Sequence, residues 1–157
     1  MQVYLKDGAA TEALGWLLGK YAASGDVYCL NGDLGAGKTL LSRGVAQALG
    51  ALPEDVTSPT FAIMNVYQGR ELEVRHFDLY RLNRPEELED IGFDEYVGGD
   101  GVTLIEWADL FAGQLPDEYL QIELRREGAG RRAVLTPRGR RYAELLEEVT
   151  RDADFSY

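Results

Sequence analysis

Gly32-Asp33-Leu34-Gly35-Ala36-Gly37-Lys38-Thr39 fits the phosphate-binding loop pattern G-x-x-x-x-G-K-[ST] at every required position. The flanks agree with it. Val27-Tyr28-Cys29-Leu30 before the loop is a short apolar run of the kind a buried parallel strand shows, and Leu41, Val45, Ala48 and Leu49 after it recur at helical spacing. Strand, glycine loop and helix are what the chemistry needs. Glycines let backbone N–H groups turn inward around a phosphate without a Cβ in the way. The start of a helix near Lys38 adds its positive dipole end. The pattern predicts that Asp33, Leu34, Gly35, Ala36, Gly37, Lys38 and Thr39 contact a nucleoside triphosphate. Lys38 is expected on the β- and γ-phosphates, with the Thr39 hydroxyl on Mg²⁺. A glycine turn ahead of an ordinary helix is the plain alternative, and the context speaks against it.

The chain has 157 residues, enough for one domain with a single sizeable core, so residues 1–157 are read as one unit. With 45% hydrophobic and 27% charged residues it has the composition of an ordinary globular protein. No apolar stretch approaches the roughly 20 residues that cross a bilayer. The start, Met1 to Asp7, lacks the basic and then apolar order of a signal peptide. The lone Cys29 excludes an internal disulfide and is expected as a buried thiol. These features predict a cytoplasmic protein without membrane attachment.

The net charge of −11 argues against a chain that grips nucleic acid unaided. The charge is uneven: Arg125, Arg126, Arg131, Arg132, Arg138, Arg140 and Arg141 crowd one C-terminal stretch. That stretch reads as a solvated hairpin and helix start, or else as a docking patch for phosphate, RNA or an acidic partner.

Leu14, Leu17, Leu18 and Tyr21 predict an amphipathic helix over about 9–23. The helix after the glycine loop should stop near Gly50. Segments 60–67 and 72–80, separated by Gln68-Gly69-Arg70, read as a hairpin. Asn83-Arg84-Pro85-Glu86 has a capping residue, an early proline and an acid three places on, so a short helix should begin there. Val102-Thr103-Leu104-Ile105 reads as a second fully buried strand. Leu120, Ile122 and Leu124 alternate with polar neighbours and turn through Glu127-Gly128-Ala129-Gly130 onto 133–136. A helix over about 138–150 carries Tyr142, Leu145, Leu146 and Val149 on one face, so hairpin and helix together span 118–150. Only 27–30 and 102–105 look like buried parallel strands. The expected fold class is α/β: a single-domain P-loop NTPase fold with a mixed, largely antiparallel-edged sheet flanked by helices.

A P-loop nucleotidase also needs an acid at the end of a buried neighbouring strand, opposite the threonine hydroxyl in the metal shell. Glu106 ends the run 102–105 and is favoured for Mg²⁺. Asp78, in His76-Phe77-Asp78-Leu79-Tyr80, is the second candidate, placed to orient water or to touch the metal through one. The plain alternatives are a strand-end surface acid for Glu106, and for Asp78 a turn-side hydrogen bond to His76 or Arg81. The single His76 is read as structural, since no other His or Cys lies at metal-ligand spacing. Trp107 either packs beside the nucleotide or anchors the core. Ser58-Pro59-Thr60-Phe61 lies where many P-loop switches carry a residue sensing the γ-phosphate, so 57–61 is a candidate switch-like loop; a turn with a rigid proline is the alternative.

The glycine loop, Ser58-Pro59-Thr60-Phe61, His76-Phe77-Asp78-Leu79-Tyr80-Arg81-Leu82, Pro85-Glu86-Glu87-Leu88 and Ile105-Glu106-Trp107 occur in this order. In that combination the chain resembles the bacterial tRNA threonylcarbamoyladenosine biosynthesis ATPases, the small P-loop subunits of that modification machinery, over about residues 8–136. The resemblance implies an ATP- and Mg²⁺-binding subunit required for threonylcarbamoylation of adenosine 37 in tRNAs decoding ANN codons. It implies docking on a heterodimer of two sugar-kinase-like proteins, tRNA held mainly by those partners, and an ATPase that is slow alone and stimulated in the assembly to reset it. Carried onto this chain, Lys38 and Thr39 hold phosphate and metal, Glu106 matches the acid at the metal, Asp78 matches the other functional carboxylate, and Ser58-Pro59-Thr60 matches the switch-like loop. The catalytic set is therefore Lys38, Asp78 and Glu106. The main rival is a P-loop small-molecule kinase, whose lid the Arg125–Arg132 hairpin could imitate; no acceptor-domain insertion is visible. A GTPase is disfavoured further, since neither N-K-x-D nor D-x-x-G occurs in the chain. A non-hydrolysing scaffold would need neither Asp78 nor Glu106. An arginine finger could come from Arg43, the hairpin or a partner.

Overall fold

The computed structural model describes residues 1–33, 35–52, 54, 56, 64–80 and 82–153. Strands β1 (Gln2–Leu5), β2 (Val27–Gly32), β3 (Met64–Gln68), β4 (Glu73–Asp78), β5 (Val102–Glu106), β6 (Tyr119–Glu127) and β7 (Gly130–Arg138) form one seven-stranded sheet in the order β1-β7-β6-β2-β5-β4-β3. Helices α1 (Gly8–Lys20), α2 (Lys38–Ala48), α3 (Glu86–Asp90), α4 (Phe93–Tyr96) and α5 (Arg140–Asp152) flank it, with a 3₁₀ segment at Ala108–Gln114. No helix among the described residues is long and apolar enough to cross a membrane.

The expected mixed α/β sheet with antiparallel edges is present. β3 pairs antiparallel with β4, β7 with β6, and β1 with β7. The parallel centre is wider than the apolar runs indicate: β2 pairs parallel with both β5 and β6, and β4 pairs parallel with β5. β4 and β6 are hairpin arms on one edge and parallel neighbours on the other, because each strand has two hydrogen-bonding edges. β1 extends the sheet beyond the second hairpin, although Val3 and Leu5 give only two alternations, too few to mark a strand.

Alternate residues sort the core onto two faces. Tyr28, Leu30, Val74, Val102 and Leu104 pack in one cluster with Leu14 and Leu18 of α1, Leu41 and Val45 of α2, and Leu145 and Val149 of α5. Val27, Cys29, Phe77 and Ile105 join Leu88, Phe93 and Phe111 in the other. The two helices beside the glycine loop approach closely through small residues: a Cβ on Gly44 would stand 2.2 Å from the Glu12 carbonyl oxygen, and one on Gly15 would stand 2.2 Å from that of Leu41.

The helix ends follow local chemistry. Asp7 caps α1 by accepting from the Ala10 N–H at 2.8 Å. Gly50, at φ +103°, ends α2 with Gly50 N donating to Gln47 O and Ala51 N to Ala46 O, the paired bonds of a Schellman stop. The α3 start departs from expectation by one residue. Glu87, not Glu86, folds back to accept from the Asn83 and Arg84 N–H groups. α5 is fixed to the start of β2 by two contacts: Tyr142 Oη accepts from Val27 N at 2.9 Å, and Arg141 grips buried Asp26 at 3.0 and 2.8 Å.

Candidate nucleotide-binding site

β2 delivers the chain into the glycine loop at Gly32, which pairs with Leu124 of β6. A Cβ on Gly32 would stand 2.4 Å from the Leu124 carbonyl oxygen, so only glycine lets the loop leave the sheet there. Gly35 and Gly37 also have positive φ, at 76° and 105°. Gly37 caps α2 without a side-chain hydrogen bond, so the first-turn N–H groups are left for the loop's own purpose. The Lys38 ammonium is buried under this arch and donates to Gly32 O at 2.6 Å and Asp33 O at 2.9 Å. Burial lowers its pKa, opposed by the charges of Glu106, Asp78, Asp33 and Asp109.

Asp78 and Glu106 are register partners at the ends of the parallel strands β4 and β5. With Gly35, Gly37, Lys38, Thr39, Leu40 and Trp107 they line one cavity of about 300 Å³. Glu106 is only 2% exposed, so it is not a surface acid. Asp78 Oδ1 accepts from Tyr80 N at 3.0 Å rather than from His76. Burial raises the Asp78 pKa, with the Tyr80 N–H opposing and the Glu106 charge adding.

Trp107 follows Glu106 with φ +61°, unusual for a bulky side chain. Trp107 N donates to Leu30 O at 2.9 Å. The turn brings its ring to 4.1 Å from the Lys38 ammonium and 4.9 Å from the Tyr80 ring. Trp107 therefore does both: it borders the cavity and touches the lysine, and it packs against the core cluster of Phe77, Ile105 and Phe111.

Two features lay beyond the sequence reading. His76 bonds to Glu106 through Nε2 and to the Tyr67 hydroxyl through Nδ1. Its parity with Asp78 on β4 was a signal, legible only once β5 is known to lie alongside. Arg131, from the turn end of β7, donates to Ala36 O at 3.2 Å and to Gly35 O at 3.0 Å, bracing the outer side of the loop. The other C-terminal arginines are not one free patch: Arg125, Arg132 and Arg140 make solvent-exposed pairs with Glu123, Glu127 and Glu144, and Arg141 pairs with buried Asp26. Leu34, Arg81, the switch-like loop 57–61 and the tail residues Phe155 and Tyr157 lie outside the described residues.

The residues fit a bound nucleotide with its metal. The loop carries glycine where a Cβ would collide, a buried ammonium sits beneath it, and two carboxylates and a hydroxyl face the same space. Mg²⁺ is typically held by one or two protein oxygens plus phosphates.

Comparisons with known proteins agree with this geometry. A family model described as "Threonylcarbamoyl adenosine biosynthesis protein TsaE" matches residues 5–134. The chain is 45% identical over 147 residues to the tRNA threonylcarbamoyladenosine biosynthesis protein TsaE of Bacillus subtilis, spanning 93% of this chain and 91% of that one. It is 40% identical over 134 residues to the protein of the same name in Treponema pallidum, spanning 85% and 98%. The crystal structure of YdiB from Bacillus subtilis superposes with a TM-score of 0.81 at 39% identity, covering 96% of this chain and 94% of that one. With its glycine loop, its two carboxylates and most of its sheet inside the matched region, the chain belongs to the TsaE family of tRNA threonylcarbamoyladenosine biosynthesis proteins.

Proposed function

We propose that the chain is the ATP-binding and ATP-hydrolysing subunit required for threonylcarbamoylation of adenosine 37 in tRNAs decoding ANN codons. It works in the cytoplasm by docking on a heterodimer of two sugar-kinase-like proteins and resetting it between turnovers. The observation that carries the reading is the convergence of Lys38, Thr39, Asp78 and Glu106 on one cavity beside a glycine loop. Asp33 to Thr39 cradle the phosphates, and Lys38 neutralises charge on the β- and γ-oxygens. Thr39 and Glu106 hold Mg²⁺, which when bound supplies further charge neutralisation on the phosphates. Asp78 orients the attacking water for in-line displacement at the γ-phosphate. Trp107 borders the lysine side of the site, with its ring 4.1 Å from the ammonium. With a net charge of −11, tRNA is held mainly by the partners.

The test is ATP hydrolysis by the chain alone and with the purified heterodimer. Slow turnover alone and clear stimulation by the heterodimer are expected. Absence of both stimulation and complex formation would reject the subunit role and return a small-molecule kinase to first place.

A further inference from the structure

Glu106 presents a carboxylate to the cavity from a position that is 2% exposed, where an unpartnered carboxylate is costly. The partner comes from β4. His76 Nε2 contacts Glu106 Oε2, and on the other side of the ring Nδ1 lies 3.0 Å from the Tyr67 hydroxyl. His76 is 0% exposed and Tyr67 is 4% exposed. The strand register explains the reach. His76 pairs with Leu104 and Asp78 with Glu106, so the imidazole leans along the sheet to the next rung on its own face.

The chemistry fixes the direction of the inner contact. A carboxylate oxygen only accepts, so Nε2 carries a proton and donates to Oε2. Nδ1 faces the Tyr67 hydroxyl, which can both donate and accept and so holds that side of the ring whichever of the two carries the proton. Oε2 is thereby committed to His76, and Oε1 is the oxygen available to the cavity. We infer that His76 is a positioning residue, backed by Tyr67, which turns Glu106 so that one carboxylate oxygen is offered to Mg²⁺ or its water shell. This rests on the nucleotide reading above. An ion that demands near-octahedral geometry gains from a single oriented oxygen more than from a freely rotating carboxylate.

The test measures binding of a fluorescent ATP analogue in excess EDTA and in saturating Mg²⁺, so that the metal-dependent gain is separated from nucleotide affinity. Wild type, His76→Leu, His76→Gln and Tyr67→Phe are compared. We expect His76→Leu to keep metal-free affinity within about twofold and to lose about tenfold of the Mg²⁺-dependent gain, the scale of removing a group that orients a ligand. His76→Gln keeps an amide N–H donor and should recover most of the gain, while Tyr67→Phe should lose about threefold, less than removing the donor itself. An unchanged Mg²⁺ gain in His76→Leu and Tyr67→Phe would overturn the inference. So would His76→Gln behaving like His76→Leu, or a loss of metal-free affinity equal to the loss in Mg²⁺. If His76→Leu does not fold, Tyr67→Phe and His76→Gln decide. Wild type that binds no nucleotide in either condition would instead reject the proposed function, and this inference with it.

Discussion

Asp78 and Glu106 occupy one rung of the parallel pair β4–β5, so two carboxylates face the same cavity as the Lys38 ammonium. Burial and the neighbouring Glu106 charge raise the Asp78 pKa against the opposing Tyr80 N–H. A carboxyl raised on folding contributes stability below its unfolded pKa, and that contribution disappears as pH rises through the folded value. At neutral pH its charge is therefore held at the expense of the nucleotide-free fold. Asp78→Asn should raise the melting temperature at neutral pH, and the gain should shrink on acidification toward the aspartate range. Thermal unfolding of both proteins across that interval checks it, and a gain independent of pH would contradict it.

Lys38 and Asp78 should divide binding from turnover. Lys38→Ala removes a charge-assisted phosphate contact and should weaken ATP binding by about 3 kcal/mol. Asp78→Ala should bind ATP within about threefold of wild type and lose about a hundredfold in turnover with the partners present. Equilibrium binding and single-turnover hydrolysis on the same variants separate the two. Equal losses of binding would reject the division.

Arg131 holds the loop from outside by donating to two successive carbonyls, those of Gly35 and Ala36. Arg131→Ala should weaken ATP binding by about 1–2 kcal/mol through loss of loop order. Arg131→Lys should not restore it, because an ammonium lacks the planar fork that spans both oxygens. Calorimetric titration with nucleotide measures both.

Arg141 and Asp26 join α5 to the turn before β2, and their side chains are 32% and 4% exposed. Asp26 also accepts from the Ala23 N–H at 2.8 Å. Asp26→Ala leaves that N–H without its acceptor and the guanidinium with only the Tyr21 carbonyl, and should cost about 2 kcal/mol, below the full buried-pair penalty because Arg141 is partly solvated. Urea unfolding should show a lower midpoint with little change in slope.

Cys29 lies on β2 with no exposed surface, and burial pushes its thiol up to about 12. A thiol reagent at mildly alkaline pH should label it only as fast as the protein unfolds. Rapid labelling of the folded chain would show that β2 opens locally.

The sequence by itself determined the parts that are local. The glycine loop is legible because Gly32, Gly37, Lys38 and Thr39 must stand at fixed spacing for backbone N–H groups to cradle a phosphate. The hairpins and the apolar face of α5 are legible because periods of 2 and 3.6 are written in consecutive residues. Tertiary structure decided the rest. Nothing in 72–80 marks which strand takes the second edge of β4, and only the β4–β5 pairing places Asp78 beside Glu106 and brings His76, 30 residues away, into contact with it. Arg131 meets Ala36 across 95 residues, so its charge reads as one of a surface run until β6 and β7 carry it to the loop. The physical reason is that a strand's hydrogen-bonding edges are backbone, identical for every residue except proline; which edge meets which is settled by burial of both sheet faces at once.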